Sequence, residues 1–174
     1  MKLGEDVIIH PWTQITRDEI CEIGNHVAID MGFCCTTRLT VGDYVHISPH
    51  VSVIGGAQAY LIVGNFCFIS TGARLVCATE LFQGKGLIGP VIPEEYKDEI
   101  DYRPIVLENF SGVLANSVVL PGVTLAEGSV LGANSLLKTS TDPWTIYAGN
   151  PARPVKKRDK GNMKEYAKKL GHDI

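Results

Sequence analysis

No stretch of the 174-residue chain approaches the run of about eighteen apolar residues that a membrane-crossing helix needs. The opening residues, Met1-Lys2-Leu3-Gly4-Glu5-Asp6, also lack the basic and then apolar stretches of a secretory signal. Cysteines are few and odd in number: Cys21, Cys34, Cys35, Cys67 and Cys77. They lack the short paired spacing of a zinc ribbon. Several lie among apolar residues and read as reduced thiols acting as small hydrophobes, which suits a reducing compartment. The expected location is therefore the cytoplasm. Charge of either sign is sparse, with 20% charged residues and a formal net charge of −3, which argues against a broad nucleic-acid surface. No Rossmann-like half is present for nucleotidyl transfer.

Apolar residues make up 45% of the chain, enough for a real core, and the length favours one domain over residues 1–174. Charge is unevenly spread. The segment from Arg153 to Ile174 carries a net +5, leaving −8 for residues 1–152, so an anionic ligand is expected to meet the tail.

A six-residue period is the strongest internal signal. Ile23, Ile29, Cys35, Val41, Ile47 and Val53 form one run; Val63, Ile69 and Leu75 form a second. Leu107, Val113, Val119, Leu125, Leu131 and Leu137 form a third. Such a period fits neither an amphipathic helix nor a simple alternating strand. It does fit a coil of short strands, each giving one apolar side chain inward before the chain turns. Gly24-Asn25, Gly42-Asp43, Gly64-Asn65 and Ala133-Asn134 supply the corners. Parallel strands on successive coils then stack about 4.8 Å apart.

Two interruptions break the period. Four extra residues fall between Val53 and Val63, around Gly55 and Gly56. A long loop at about 77–104 contains six acids, Glu80, Glu94, Glu95, Asp98, Glu99 and Asp101, together with aromatic and aliphatic side chains. A loop of this length within a regular solenoid is usually functional or disordered, and its apolar content predicts ordered packing, against a neighbouring subunit for example. Residues 1–22 read as an irregular cap, 23–142 as the repeat body, and 143–174 as a basic segment ending in a short helix, Asn162 to Gly171.

On these repeats the sequence resembles the hexapeptide-repeat family. The resemblance implies an all-β, left-handed parallel β-helix with one long loop and a short C-terminal α-helix, in which three hexapeptides make a triangular coil. After the last repeat, Trp144-Thr145-Ile146-Tyr147-Ala148-Gly149-Asn150-Pro151-Ala152-Arg153 resembles the closing segment of hexapeptide acyltransferases, which borders their coenzyme A site. Ala148, Gly149, Asn150 and Pro151 would let pantetheine lie against the backbone, and Arg153 and Lys156 would meet its phosphates. The small corners with Ala115, Asn116 and Ala133 would form a groove along the axis, and Lys138 is a further candidate contact.

The segment Tyr44-Val45-His46-Ile47-Ser48-Pro49-His50 resembles the sugar N-acetyltransferase branch. There a histidine matching His46 lies close to the acetyl group, and a glycine matching Gly55 offers its N–H to the carbonyl oxygen. The branch's usual catalytic histidine is replaced here by Thr37, which cannot act as a general base. His46, His50 or Glu80 must then substitute, with His46 preferred over His50, or no strong base is used. The resemblance implies an acetyl-CoA-dependent acetyltransferase acting on a sugar, free of metal, with an amine or hydroxyl acceptor that is nucleotide-linked or part of an O-antigen. Its expected setting is surface-polysaccharide (lipopolysaccharide) synthesis, and its expected form a homotrimer with sites between subunits. Alternatives are a non-catalytic trimeric scaffold and a zinc hydratase on the same fold using His26, His46 and His50.

Overall fold

The computed structural model describes residues 1–16 and 21–174, and it shows a three-faced solenoid of parallel strands. The first face stacks Lys2–Leu3, Glu22–Ile23, Arg38–Val41, Tyr60–Val63, Ile105–Leu107 and Thr124–Leu125. The second stacks Ile8–Ile9, Ala28–Ile29, His46–Ile47, Phe68–Ile69, Gly112–Val113, Val130–Leu131 and Thr145–Gly149, and ends with antiparallel Ala152–Lys157. The third stacks Gln14–Ile15, Cys34–Cys35, Ser52–Ile54, Arg74–Val76, Val118–Val119 and Leu136–Leu137. The six-residue register is kept across coils. Ile29 pairs with Ile47, Ile47 with Ile69, Ile69 with Val113 and Val113 with Leu131. The periodic residues are 0–3% exposed along the whole axis. This is the left-handed parallel β-helix that the family resemblance implies.

The corners explain the Gly-Asn and Gly-Asp pairs. Between the first and second faces, the side chain of each coil caps a backbone N–H of the coil before it. The Asn25 Oδ1 accepts from Glu5 N–H at 2.8 Å, Asp43 Oδ1 from Asn25 N–H at 2.6 Å, and Asn65 Oδ1 from Asp43 N–H at 2.8 Å. Glycine precedes them because the capping oxygen fills the space a Cβ would take. At Gly42 that atom would lie 2.3 Å from Asn65 Oδ1. At the next position of these corners the chain adopts a left-handed conformation, at His26, Tyr44, Phe66 and Phe110, and Trp144 does the same at the last corner. Their rings form a ladder with centroids 4.6–5.9 Å apart, a spacing at which aromatic pairs attract.

The segment expected to be an irregular cap is in part a further coil. Leu3 and Ile9 pair with Ile23 and Ile29, and Ile15 with Cys35. These three residues keep the six-residue spacing, but Ile15 and Ile23 are eight apart, which hides the continuity; residues 17–20 of this segment lie outside the described residues. As the terminal layer, this coil is less covered, and Leu3 is 50% exposed.

The C-terminal segment folds back as a hairpin and the helix Met163–Lys169. Ala167 is buried against the aromatic ladder. His172 packs edge-on to Tyr44 and Phe66 and lies 3.6 Å from Asp43. Arg158 donates to the Phe110 and Gly128 carbonyls at 2.7 and 2.9 Å, and burial lowers its pKa. Among the thiols, burial raises Cys35 and Cys67 and pushes Cys77 up to about 12. Among the described residues, no helix is long and apolar enough to cross a membrane.

Candidate active site

The long loop leaves the edge between the third and first faces as an ordered arm. Thr79–Glu80 pairs antiparallel with Ile100–Asp101. At the arm's base the Asp101 carboxylate accepts from the Arg103 guanidinium at 2.6–3.0 Å. These hydrogen bonds hold the Asp101 carboxyl below the usual carboxylate range. Between the arm and the coil lies a cleft of about 400 Å³, walled by Gly55, Gly56, Ala78, Glu80, Lys97 and Tyr102 among others. Two sequence-predicted residues, Gly55 and Glu80, therefore meet here.

Gly55 packs too tightly for a side chain, since a Cβ would lie 2.6 Å from that of Ala59. Its N–H donates to Thr36 Oγ1 at 3.3 Å, so the group offered to a thioester oxygen is engaged within the chain. Gly56, in the left-handed region with open space where a Cβ would sit, keeps the cleft mouth clear.

His46 and His50 stand elsewhere. His46 projects from the second face, with Nε2 2.8 Å from Asp30 Oδ2. His50 is in a left-handed conformation on the edge between the second and third faces, with its ring over Gly32. Neither walls the cleft within one chain. Thr37, at the position of the replaced histidine, is fully buried and beyond reach of a substrate.

Most candidate coenzyme contacts share the edge occupied by His50. Ala115-Asn116 and Ala133-Asn134 form successive corners there, with both asparagines left-handed. The strand Thr145–Gly149 carries Ala148 and Gly149 to the same edge, where Gly149 N–H donates to Ser135 Oγ at 2.9 Å. Asn150 and Pro151 turn the chain into the return strand, placing Arg153 opposite Ala148 and Lys156 opposite Ile146. Arg153 and Lys156 are exposed, while Lys157 donates to Thr145 Oγ1 and Arg158 is used inward. Lys138 does not join this group: it follows Leu136–Leu137 and leaves the third face toward the arm's edge. Lys97 and Tyr102 are cleft residues that the sequence reading missed. The sole signal for Lys97 was that it is one of two lysines, with Lys85, among the arm's acids. Among the described residues, no group of three or more His, Cys, Asp or Glu is arranged to hold a metal.

A triangular parallel β-helix with an arm-covered cleft and a small-residue edge defines the hexapeptide-repeat acyltransferases, and this chain is one. More narrowly, it belongs to the sugar acyltransferase family that includes dTDP-4-amino-4,6-dideoxy-D-glucose acyltransferase of Escherichia coli. It is 30% identical to that protein over 162 residues, spanning 91% of this chain and 82% of the relative. A variant of AntD, an N-acyltransferase from Bacillus cereus in complex with dTDP and coenzyme A, superposes with a TM-score of 0.90. That alignment has 30% identity and covers 98% of this chain and 91% of the other. Another AntD variant, in complex with dTDP-4-amino-4,6-dideoxyglucose and coenzyme A, gives 0.91 at 29% identity, covering 98% and 90%. No family model matches the chain.

Proposed function

We propose that this enzyme transfers an acetyl group from acetyl-CoA to the amine of a nucleotide-linked amino sugar. The observation that carries this reading is the meeting of Gly55 and Glu80 in one arm-covered cleft. It is supported by likeness to AntD, whose structures hold coenzyme A and dTDP-4-amino-4,6-dideoxyglucose. The amine attacks the thioester carbonyl. Its new C–N bond forms as the C–S bond breaks, the Glu80 carboxylate takes the proton lost by the attacking nitrogen, and that proton passes to the departing thiolate to give coenzyme A.

The two groups of candidate residues occupy different edges of one prism. Threefold packing sets the arm edge of one chain against the small-residue edge of the next, so a homotrimer with shared sites completes the machinery. His46, held by Asp30, is then available to a neighbour's cleft. The setting is the cytoplasm, in the synthesis of a surface polysaccharide such as lipopolysaccharide.

The test follows coenzyme A release with nucleotide-linked 4-amino sugars and with their 4-hydroxyl counterparts. Turnover with the amine alone is expected. Turnover confined to the hydroxyl sugar would make this an O-acetyltransferase, and none with either would favour a non-catalytic scaffold.

A further inference from the structure

Lys97 is the only cation walling the cleft among the described residues, and the arm is built to hold it there. Its side chain is 19% exposed. On one side, Gly86 packs against the Lys97 backbone so closely that a Cβ would lie 2.3 Å from the Lys97 carbonyl carbon. On the other, buried Asp98 accepts from Gly84 N–H at 3.2 Å and Glu99 N–H at 2.8 Å. Leu87 closes the knot, donating to the Tyr96 carbonyl at 2.7 Å and accepting from Asp98 N–H at 3.0 Å. The backbone around Lys97 is thus pinned from several directions, whereas its charge partner is not. Glu94, 2.7 Å from the ammonium, is 80% exposed, and such ion pairs hold weakly.

We propose that Lys97 recognises the diphosphate of the acceptor, exchanging Glu94 for it and so distinguishing an activated sugar from a free one. This rests on the nucleotide-linked amino-sugar reading. A largely buried lysine on a pinned backbone offers its ammonium to phosphate oxygens in strong charge-assisted hydrogen bonds. The diphosphate belongs to the acceptor because Lys97 shares its cleft with Glu80, the proposed base for the acceptor amine. The coenzyme's phosphates have their own cations, Arg153 and Lys156, on another edge.

The test compares wild type with Lys97→Gln, Lys97→Arg and Glu94→Gln. Each is assayed with a nucleotide-linked amino sugar and with the same amino sugar as its methyl glycoside, alongside calorimetry of dTDP binding. Lys97→Gln should raise KM for the nucleotide sugar and Kd for dTDP about ten- to a hundredfold. It should leave the methyl-glycoside kinetics, the KM for acetyl-CoA and Tm unchanged. Lys97→Arg should recover much of the loss, and Glu94→Gln, which removes the competing carboxylate, should leave dTDP binding unchanged or tighten it by about twofold. Equal losses with both acceptors, an unchanged Kd for dTDP, or a rise in KM for acetyl-CoA instead would overturn the assignment. If wild type acetylates no amino sugar, the functional reading fails, while the dTDP calorimetry still decides the role of Lys97.

Discussion

His50 occupies a corner that equivalent coils fill with Gly32, Gly72, Asn116 and Asn134, all left-handed. Its setting is that of a turn residue, and it has no carboxylate partner among the hydrogen bonds and ion pairs of the described residues. His46 differs, because Asp30 orients its ring as a carboxylate orients a catalytic imidazole. Both groups are well exposed, however, and within one chain it is Glu80 that faces the cleft. Glu80→Gln should therefore lower kcat about 10²–10⁴-fold, the range for losing a general base, with little change in KM for acetyl-CoA. His46→Ala should cost less than about tenfold, as expected of a group that positions rather than takes the proton. Steady-state kinetics across pH would check the pair, and the reverse ranking would return the role to His46. The candidates themselves were legible in the sequence because histidines and acids beside broken repeats stand out. Which of them share a cleft was not, because that depends on the inserted residues setting Gly55 against Ala78 and on the arm folding back through Thr79–Glu80 and Ile100–Asp101, neither of which a local pattern announces.

The C-terminal helix has seven residues, too short to persist alone in water, so its docking must stabilise it. Asn162, at the helix start, makes no side-chain cap hydrogen bond. Glu127 fastens the segment instead, reaching Lys164 Nζ at 2.7 Å with one oxygen and Trp144 Nε1 at 3.0 Å with the other. Burial alone would raise the Glu127 pKa, but these two donors outweigh it and hold the carboxyl below its ordinary value. A depressed folded-state pKa contributes stability above the unfolded value of about 4.3 and loses it as pH falls through the folded value. Amide exchange in the helix should consequently accelerate as pH is lowered below about 4, after correction for intrinsic rates. Glu127→Gln should remove that acid dependence and destabilise by about 1 kcal/mol. Unchanged helix protection in the variant would show that apolar contact alone holds the segment. The helix could be read from the sequence, but the surface receiving it could not. The ladder from His26 to Trp144 is assembled from five corners far apart in sequence, and the first coil was hidden by one irregular step, Ile15 to Ile23.

At the scale of the molecule, charge and shape divide the work between edges. The exposed Arg153 and Lys156 flank the small-residue edge, and changing both to Ala should weaken acetyl-CoA binding by about 1–3 kcal/mol. Calorimetry would measure the loss, which should shrink for dephospho-coenzyme A if one of them meets the ribose phosphate. An unchanged affinity would reduce this cluster to a solvated tail. The stronger test addresses the assembly itself. If Glu80 comes from one chain and the edge of Ala133 and Gly149 from its neighbour, each kind of damage disables a site from a different side. Ala133→Tyr should block the groove, and Glu80→Gln should remove the base, so each homotrimer is inactive. Unfolded together and refolded at equal ratio, the chains mix, and about one interface in four pairs an intact Glu80 with an intact edge. Activity should then recover to about a quarter of wild type, with light scattering reporting a trimer of the 18.9 kDa chain. A site built within one chain yields no recovery at any ratio, because every chain in the mixture carries one of the two lesions.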